Sequence, residues 1–264
     1  MKHRPSALLA LVWAGMWGLV FATPVNNAHG RNPASPPGSK LLYIMLDGFR
    51  WDYVDLQSAA VLPGFTKFLK EGVRARWTHP LFPSLSYPTW TSLVTGQYAE
   101  NHGVVGNYFY DSATKEEFSL FDVYASLMKM TGVNVYKHND IPEKYHFKNN
   151  KYVHEIVVSA EKGNFVMASH SDKQLPARSD FVYYGAHGYD PDVQDMKGIF
   201  FAKGPAFQKG KIIEPIHVVD VYQVLTHVLG LTPQPHNGTW NHVQDAFVQS
   251  TPATHDESLQ RHQC

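Results

Sequence analysis

Three side chains stand where they could do chemistry together. Ser86 lies in Phe82-Pro83-Ser84-Leu85-Ser86-Tyr87-Pro88, at the mouth of a segment with helical character. A hydroxyl there faces free backbone N–H groups and the positive end of the helix dipole, a place that suits a phosphate. Serine is a poor nucleophile until a base or a metal activates it. Asp47 ends the apolar run Leu41 to Leu46, and a carboxylate at the end of a buried strand is a natural ligand for a cation. His187 sits among Gly185, Ala186 and Gly188, small residues that let a ligand or metal come close. Together these are parts of a metal-assisted esterase. Each has an ordinary alternative: an N-cap serine, a turn aspartate before Gly48, a loop histidine. No Gly-x-Ser-x-Gly elbow surrounds Ser86, so an α/β-hydrolase triad is unsupported. Ser84 is a weaker second candidate.

The elements that must position these residues read as an alternation of strands and helices. Leu41 to Leu46 has the pattern of a strand buried on both faces. Helices are expected at Pro63–Lys70, stopped by Gly72, and at Tyr87–Thr95, closed by Gly96 with Pro88 in its first turn. Others are expected at Val123–Met130 and Val218–Leu229, each ended by a glycine. Strands are expected at Val73–Trp77, Val133–Tyr136, Val153–Ser159, Asn164–Ala168 and Met196–Ala202, with a polar loop at Ser169–Arg178. The pattern argues for an α/β fold with a mostly parallel sheet flanked by helices.

Residues 1–22 read as a secretory signal: Lys2, His3 and Arg4 precede an apolar run from Ala7 to Phe21, with small residues for cleavage near Ala22. Residues 23–39, rich in Asn, Pro, Gly and Ser, read as a disordered leader, residues 40–250 as the folded domain, and residues 251–264 as a polar tail. A secreted, extracellular protein without a transmembrane segment is expected. Asn237-Gly238-Thr239 is an N-glycosylation pattern, placing a glycan on Asn237. Lys plus Arg and Asp plus Glu number 23 each, so no net field favours a nucleic-acid polymer. The 15 histidines make metal binding worth testing, and Cys264, the one cysteine, could pair only between chains.

Asp47-Gly48-Phe49-Arg50, Pro83-Ser84-Leu85-Ser86-Tyr87-Pro88, Thr95-Gly96, Glu100-Asn101-His102-Gly103, His187-Gly188-Tyr189-Asp190, Gly204-Pro205-Ala206-Phe207 and Pro235-His236-Asn237-Gly238-Thr239 share an order and a spacing with one family. The chain resembles the nucleotide pyrophosphatase/phosphodiesterases of the alkaline phosphatase superfamily. Ser-Leu-Ser-Tyr-Pro looks like the choline-phosphodiester branch, and Val135-Tyr136-Lys137 and Tyr145-His146-Phe147 look like the alkaline sphingomyelinase branch. The resemblance implies an alkaline-phosphatase-like fold and hydrolysis of phosphodiesters, choline-containing or nucleotide, through a covalent phospho-serine between two zinc ions. It makes Ser86 the nucleophile, Asp47 and Ser86 ligands of the first zinc, and His187 a ligand of the second.

The chain also departs from the family. It follows the family's early part to about Asp122 and resumes at Val123 with a part that comes much later, so the central part is missing and most metal ligands go with it. Thr89 stands where the family usually has an asparagine that helps bind the phosphate; threonine can donate a hydrogen bond but reaches less far. Ser169-His170-Ser171-Asp172 echoes a lost ligand segment in the wrong order, and His102, His138, His146 and His154 are further histidines open to recruitment. A secreted non-catalytic remnant, serving as a binding or matrix component, is therefore the competing reading. A third is a site completed by a second chain. Apolar faces left by the missing strands, or Cys264, would favour self-association.

Overall fold

The computed structural model describes residues 18–21, 40–58, 61–107, 124–125, 127–166 and 185–248. Most of the expected signal, the leader, the Asp122/Val123 junction, the segment with His170 and Asp172, and the tail with Cys264 lie outside the described residues.

Prolines and glycines set the helix limits much as expected. Helix α1 (Pro63–Glu71) has proline in its first turn and ends at Gly72. A Cβ at Gly72 would lie 2.3 Å from the Ala202 carbonyl oxygen, so the turn out of α1 has room for glycine alone. Helix α2 (Ser86–Thr95) ends on Gly96 in the left-handed region, and the short α3 (Ala99–His102) on Gly103. Helix α4 (Val221–Leu229) ends on Gly230, and its expected first turn, Val218–Asp220, is a 3-10 turn. Helix α5 (Trp240–Val243) follows. The helix expected at 123–130 is helical at 124, 125 and 127 and becomes a turn at 128–129.

The strands are shorter than expected and, among the described residues, pair in four small sheets. Strand β1 (Gly18–Phe21), at the end of the expected signal, pairs antiparallel with β2 (Leu42–Met45). Strand β3 (Val73–Ala75) lies between β7 (Phe201–Ala202) and β8 (Lys211–Ile213), parallel to β8. Strands β4 (Thr78–His79) and β9 (Ile216–His217) are also parallel. Strands β5 (Val133–Lys137) and β6 (Ile156–Ala160) form an antiparallel pair. The α/β class is as the sequence indicates, but the mostly parallel sheet is not: among the described residues β3–β8 and β4–β9 are parallel and the other three pairings antiparallel.

Two expected strands differ. Residues 164–166 carry no strand, and 167–168 lie outside the described residues; of Met196–Ala202 only the last two residues are strand, with Met196 in a 3-10 turn and Gly198 in an isolated bridge to Thr78. The double burial expected of β2 also fails. Tyr43 packs on the core, while Leu42 and Ile44 on the opposite face are 57% and 46% exposed. A strand buried on one face alternates in this way.

Among the described residues, two apolar clusters hold the domain together. One joins β3, β8, α4 and α5 through Val73, Ile213, Val224 and Val243, with Phe207 and Phe247 stacked beside them. The other gathers Leu81, Phe82, Ala99, Ile141, Tyr145 and Phe147. Burial of each such side chain is worth about 2 kcal/mol. Leu93 of α2 packs against both clusters, so the helix that starts with Ser86 is fixed between them.

Candidate functional site

The sequence brings Asp47 and Ser86 together. Gly48, with φ of 64°, turns the chain sharply after β2 and leaves Asp47 exposed at the strand's end. The Ser86 hydroxyl donates to the Asp47 carboxylate, at 3.2 Å from Oδ1 and 3.4 Å from Oδ2. Ser86 is not the N-cap. Leu85 holds that position with extended backbone, and Ser86 is the first helical residue. Its hydroxyl is therefore turned to the carboxylate rather than spent on capping.

Asn107 stands in for the cap: its Oδ1 accepts the Tyr87 N–H at 3.0 Å. Sequence reasoning passed over this residue, because Gly106-Asn107 reads as an ordinary turn and only the fold carries it to the start of α2. Its side-chain amide also offers donors beside Ser86. Thr89 lies three residues after Ser86, on the same helical face, with its backbone N–H bonded to the Leu85 carbonyl. Arg50, in the same motif as Asp47, is committed elsewhere. Its guanidinium grips Asp52 at 2.6 and 2.9 Å and reaches Asp195 at 3.4 Å.

His187 is exposed on a neighbouring loop. Gly188, with φ of 92°, lies against Leu85, where an added Cβ would be 3.3 Å from Leu85 Cδ2. Ser84 donates to the Tyr189 carbonyl at 2.8 Å, and the Tyr145 hydroxyl donates to Asp190 at 2.6 Å. Burial acts to raise the Asp190 carboxyl, yet Tyr145, the Asp192 N–H and Lys144 together hold it below the usual carboxylate range. A mainly apolar cavity of ≈ 800 Å³ opens beside this loop, lined by Phe82, Leu85, Phe147, Tyr152, Val158 and His187 among others.

The other histidines are placed differently. His102 is committed on both nitrogens: Nδ1 accepts the Val104 N–H at 3.1 Å, and Nε2 is 2.9 Å from the Ser92 hydroxyl. His146 stacks on Tyr98 with ring centroids 4.0 Å apart, and His154 lines the cavity. Asn237 is exposed, as a glycan acceptor must be, and its Oδ1 accepts the Tyr98 N–H at 3.0 Å.

The donor set can be weighed against the two-zinc centre that the resemblance implies. Asp47 and Ser86 supply oxygens at one point. Among the described residues, no three His, Cys, Asp or Glu side chains gather where they could hold a metal ion. A catalytic zinc takes about three protein ligands. The described residues do not complete such a centre.

Comparison with known proteins bears on the same segments. Residues 41–130 match the family model described as type I phosphodiesterase/nucleotide pyrophosphatase. The chain is 37% identical over 132 residues to human ectonucleotide pyrophosphatase/phosphodiesterase family member 5, covering 50% of this chain and 26% of that protein. It is 35% identical over 116 residues to human bis(5'-adenosyl)-triphosphatase ENPP4, covering 44% and 24%. The chain thus spans about a quarter of the length of the curated relatives it matches. The solved structure of murine ectonucleotide pyrophosphatase/phosphodiesterase 5 superposes with a TM-score of 0.67 at 21% identity, over 76% of this chain and 98% of that one. An inactive threonine-to-alanine variant of the same murine protein, in complex with AMP, gives a TM-score of 0.62 at 20% identity, over 76% and 98%.

Proposed function

The chain belongs to the type I phosphodiesterase/nucleotide pyrophosphatase family of the alkaline phosphatase superfamily, and from that premise we propose that it binds phosphodiesters where Asp47 meets Ser86. The family hydrolyses phosphodiester bonds and is generally metal-dependent. The observation that carries the reading is the Ser86 hydroxyl at the start of α2, oriented by the Asp47 carboxylate at 3.2 Å. In the proposed reaction Ser86 Oγ bonds to phosphorus and the alcohol leaves. Asp47 is placed to take the hydroxyl proton, and water then cleaves the phospho-serine. Asn107 and Thr89 supply donors for the phosphate oxygens. An exposed carboxylate is a weak base, so this pair orients the hydroxyl more than it ionises it.

Zinc is the metal proposed for the family centre, with Asp47, Ser86 and His187 as the ligands this chain retains. The incomplete donor set supports no step through it. Choline phosphodiesters or nucleotides are the proposed substrates. The aromatic lining of the cavity beside His187 suits a quaternary ammonium group. An extracellular, secreted and N-glycosylated protein completes the reading. Among the described residues, no helix is long and apolar enough to cross a membrane.

The test is turnover of a nitrophenyl phosphodiester by the full chain, with phospho-Ser86 sought by mass spectrometry after acid quench. Ser86→Ala is expected to lower the rate by about a hundredfold or more and to remove the phosphopeptide. An unchanged rate removes Ser86 from the mechanism.

A second reading, a secreted non-catalytic binding or matrix component, draws on the incomplete donor set among the described residues. Stoichiometric zinc in the purified chain together with turnover would eliminate it. If two chains complete the site, the specific rate will rise with protein concentration.

A further inference from the structure

We infer that Lys197 is held as its neutral amine, and that it is a positioning residue for the loop carrying His187; the second half rests on the reading of His187 as a site residue. Lys197 is 4% exposed. Its Nζ lies 2.6 Å from His79 Nδ1 and donates to the Pro191 carbonyl oxygen at 2.6 Å. On the other side of the same ring, Trp77 Nε1 donates to His79 Nε2 at 3.0 Å.

The indole N–H can only donate, so His79 Nε2 must present its lone pair. A neutral imidazole in that state carries its proton on Nδ1, which makes Nδ1 a donor toward Lys197. An ammonium has no lone pair to receive it. The amine does: it accepts from His79 and gives a hydrogen to Pro191. The opposite assignment, an ammonium donating to Nδ1, moves the ring proton to Nε2 and sets two donors face to face at 3.0 Å. Turning the ring over replaces both nitrogens by carbons and loses both bonds.

The surroundings agree with this assignment. Burial lowers the Lys197 pKa, opposed by the carboxylates of Asp192 and Asp190. Those two carboxylates are themselves met by Lys144, at 2.6 and 3.5 Å. Burial also lowers His79, which keeps its ring neutral, with His217 acting the same way and Asp192 and Asp220 against it. The His217 ring stacks on His79 with centroids 4.7 Å apart, and Asp220 is held by His242 at 2.8 Å.

The position of the amine gives it a consequence for the site. Thr78 and Gly198 exchange two backbone hydrogen bonds of 2.9 Å, which fixes Lys197 against β4. The chain runs from β4 directly into the segment with Ser84 and Ser86. Through Pro191, Lys197 ties that segment to the loop of His187, alongside the Ser84–Tyr189 bond. Protonation of the amine removes its acceptor and breaks the bond to His79.

The experiment is a side-chain ¹⁵N and ¹³C NMR titration of the lysines and histidines in the full chain. One lysine, identified by its absence in Lys197→Gln, is expected to be an amine at pH 7 and to titrate well below the others, with the His79 proton on Nδ1. In Trp77→Phe the ring is free to change tautomer, and this lysine is expected to titrate closer to the rest. Lys197→Gln keeps a donor and an acceptor without charge, whereas Lys197→Arg keeps the charge and only donors. Amide exchange at residues 187–191 is expected to stay slow in the Gln variant and to rise about tenfold in the Arg variant. A Lys197 that titrates with the other lysines, or a His79 proton on Nε2, overturns the neutral amine. Equal exchange in the two variants overturns the positioning role. None of these readouts involves turnover, so each stands or falls apart from the phosphodiesterase reading.

Discussion

The Ser84 hydroxyl donates to the Tyr189 carbonyl oxygen at 2.8 Å, joining two motifs that lie far apart in the chain. It also separates the two serines of the motif. Ser84 is spent on holding the His187 loop, while Ser86 faces Asp47. Ser84→Ala is expected to cost about 1 kcal/mol in urea unfolding and to speed amide exchange at residues 187–191. Exchange indistinguishable from the parent protein would remove Ser84 from this role.

Leu42 and Ile44 present an apolar face on β2, whose one partner among the described residues is β1. Cleavage near Ala22, as proposed for a secreted chain, removes that partner. An uncovered strand edge with apolar side chains favours pairing between copies. The Leu42→Lys, Ile44→Lys double variant is expected to shift sedimentation toward monomer. An unchanged distribution of species would place any association elsewhere.

A glycan on Asn237 is compatible with the local hydrogen bonds. Linkage consumes the side-chain nitrogen, and Oδ1 remains free to accept the Tyr98 N–H. Thr239→Ala removes the acceptor pattern but keeps Asn237 and the backbone bond from Thr239 to Asp220 at 2.7 Å. The variant secreted from a eukaryotic host is expected to migrate faster in gels and to match the parent after glycosidase treatment. Equal mobility before treatment would mean that Asn237 carries no glycan.

How much of this was legible in the sequence follows from the range of each interaction. Pro63, Gly72, Gly96 and Gly230 act on their own turns, and the helices they delimit were readable. Strands as short as Thr78–His79 and Phe201–Ala202 contain too few residues to show a period of two, and their partners decide them. Asp47 and Ser86 were readable because each carries its own motif. The cap reading of Ser86 failed because Leu85 takes that place, with Asn107 reaching in from a turn. Lys197 gave no signal, since Trp77, His79 and Pro191 meet it only in the folded chain.

Half-buried histidines set the acid limit of stability. Burial lowers His79 to about 4, and it lowers His217 and His102 as well. Unfolded histidine titrates near about 6.5, so between that value and the folded one the unfolded chain binds more protons. Their contribution is complete above about pH 6.5 and is lost as pH falls toward 4. Asp55 and Asp195, whose carboxyls Arg74 and Lys162 hold low, lose theirs only at lower pH, below the ordinary carboxylate range. The urea midpoint is therefore expected to decline already between pH 6.5 and 4.5. His102→Asn keeps an acceptor for Val104, gives up the Nε2 contact with Ser92, and does not titrate. It should flatten that decline, and a slope equal to the parent's would show that His102 is not part of the acid transition.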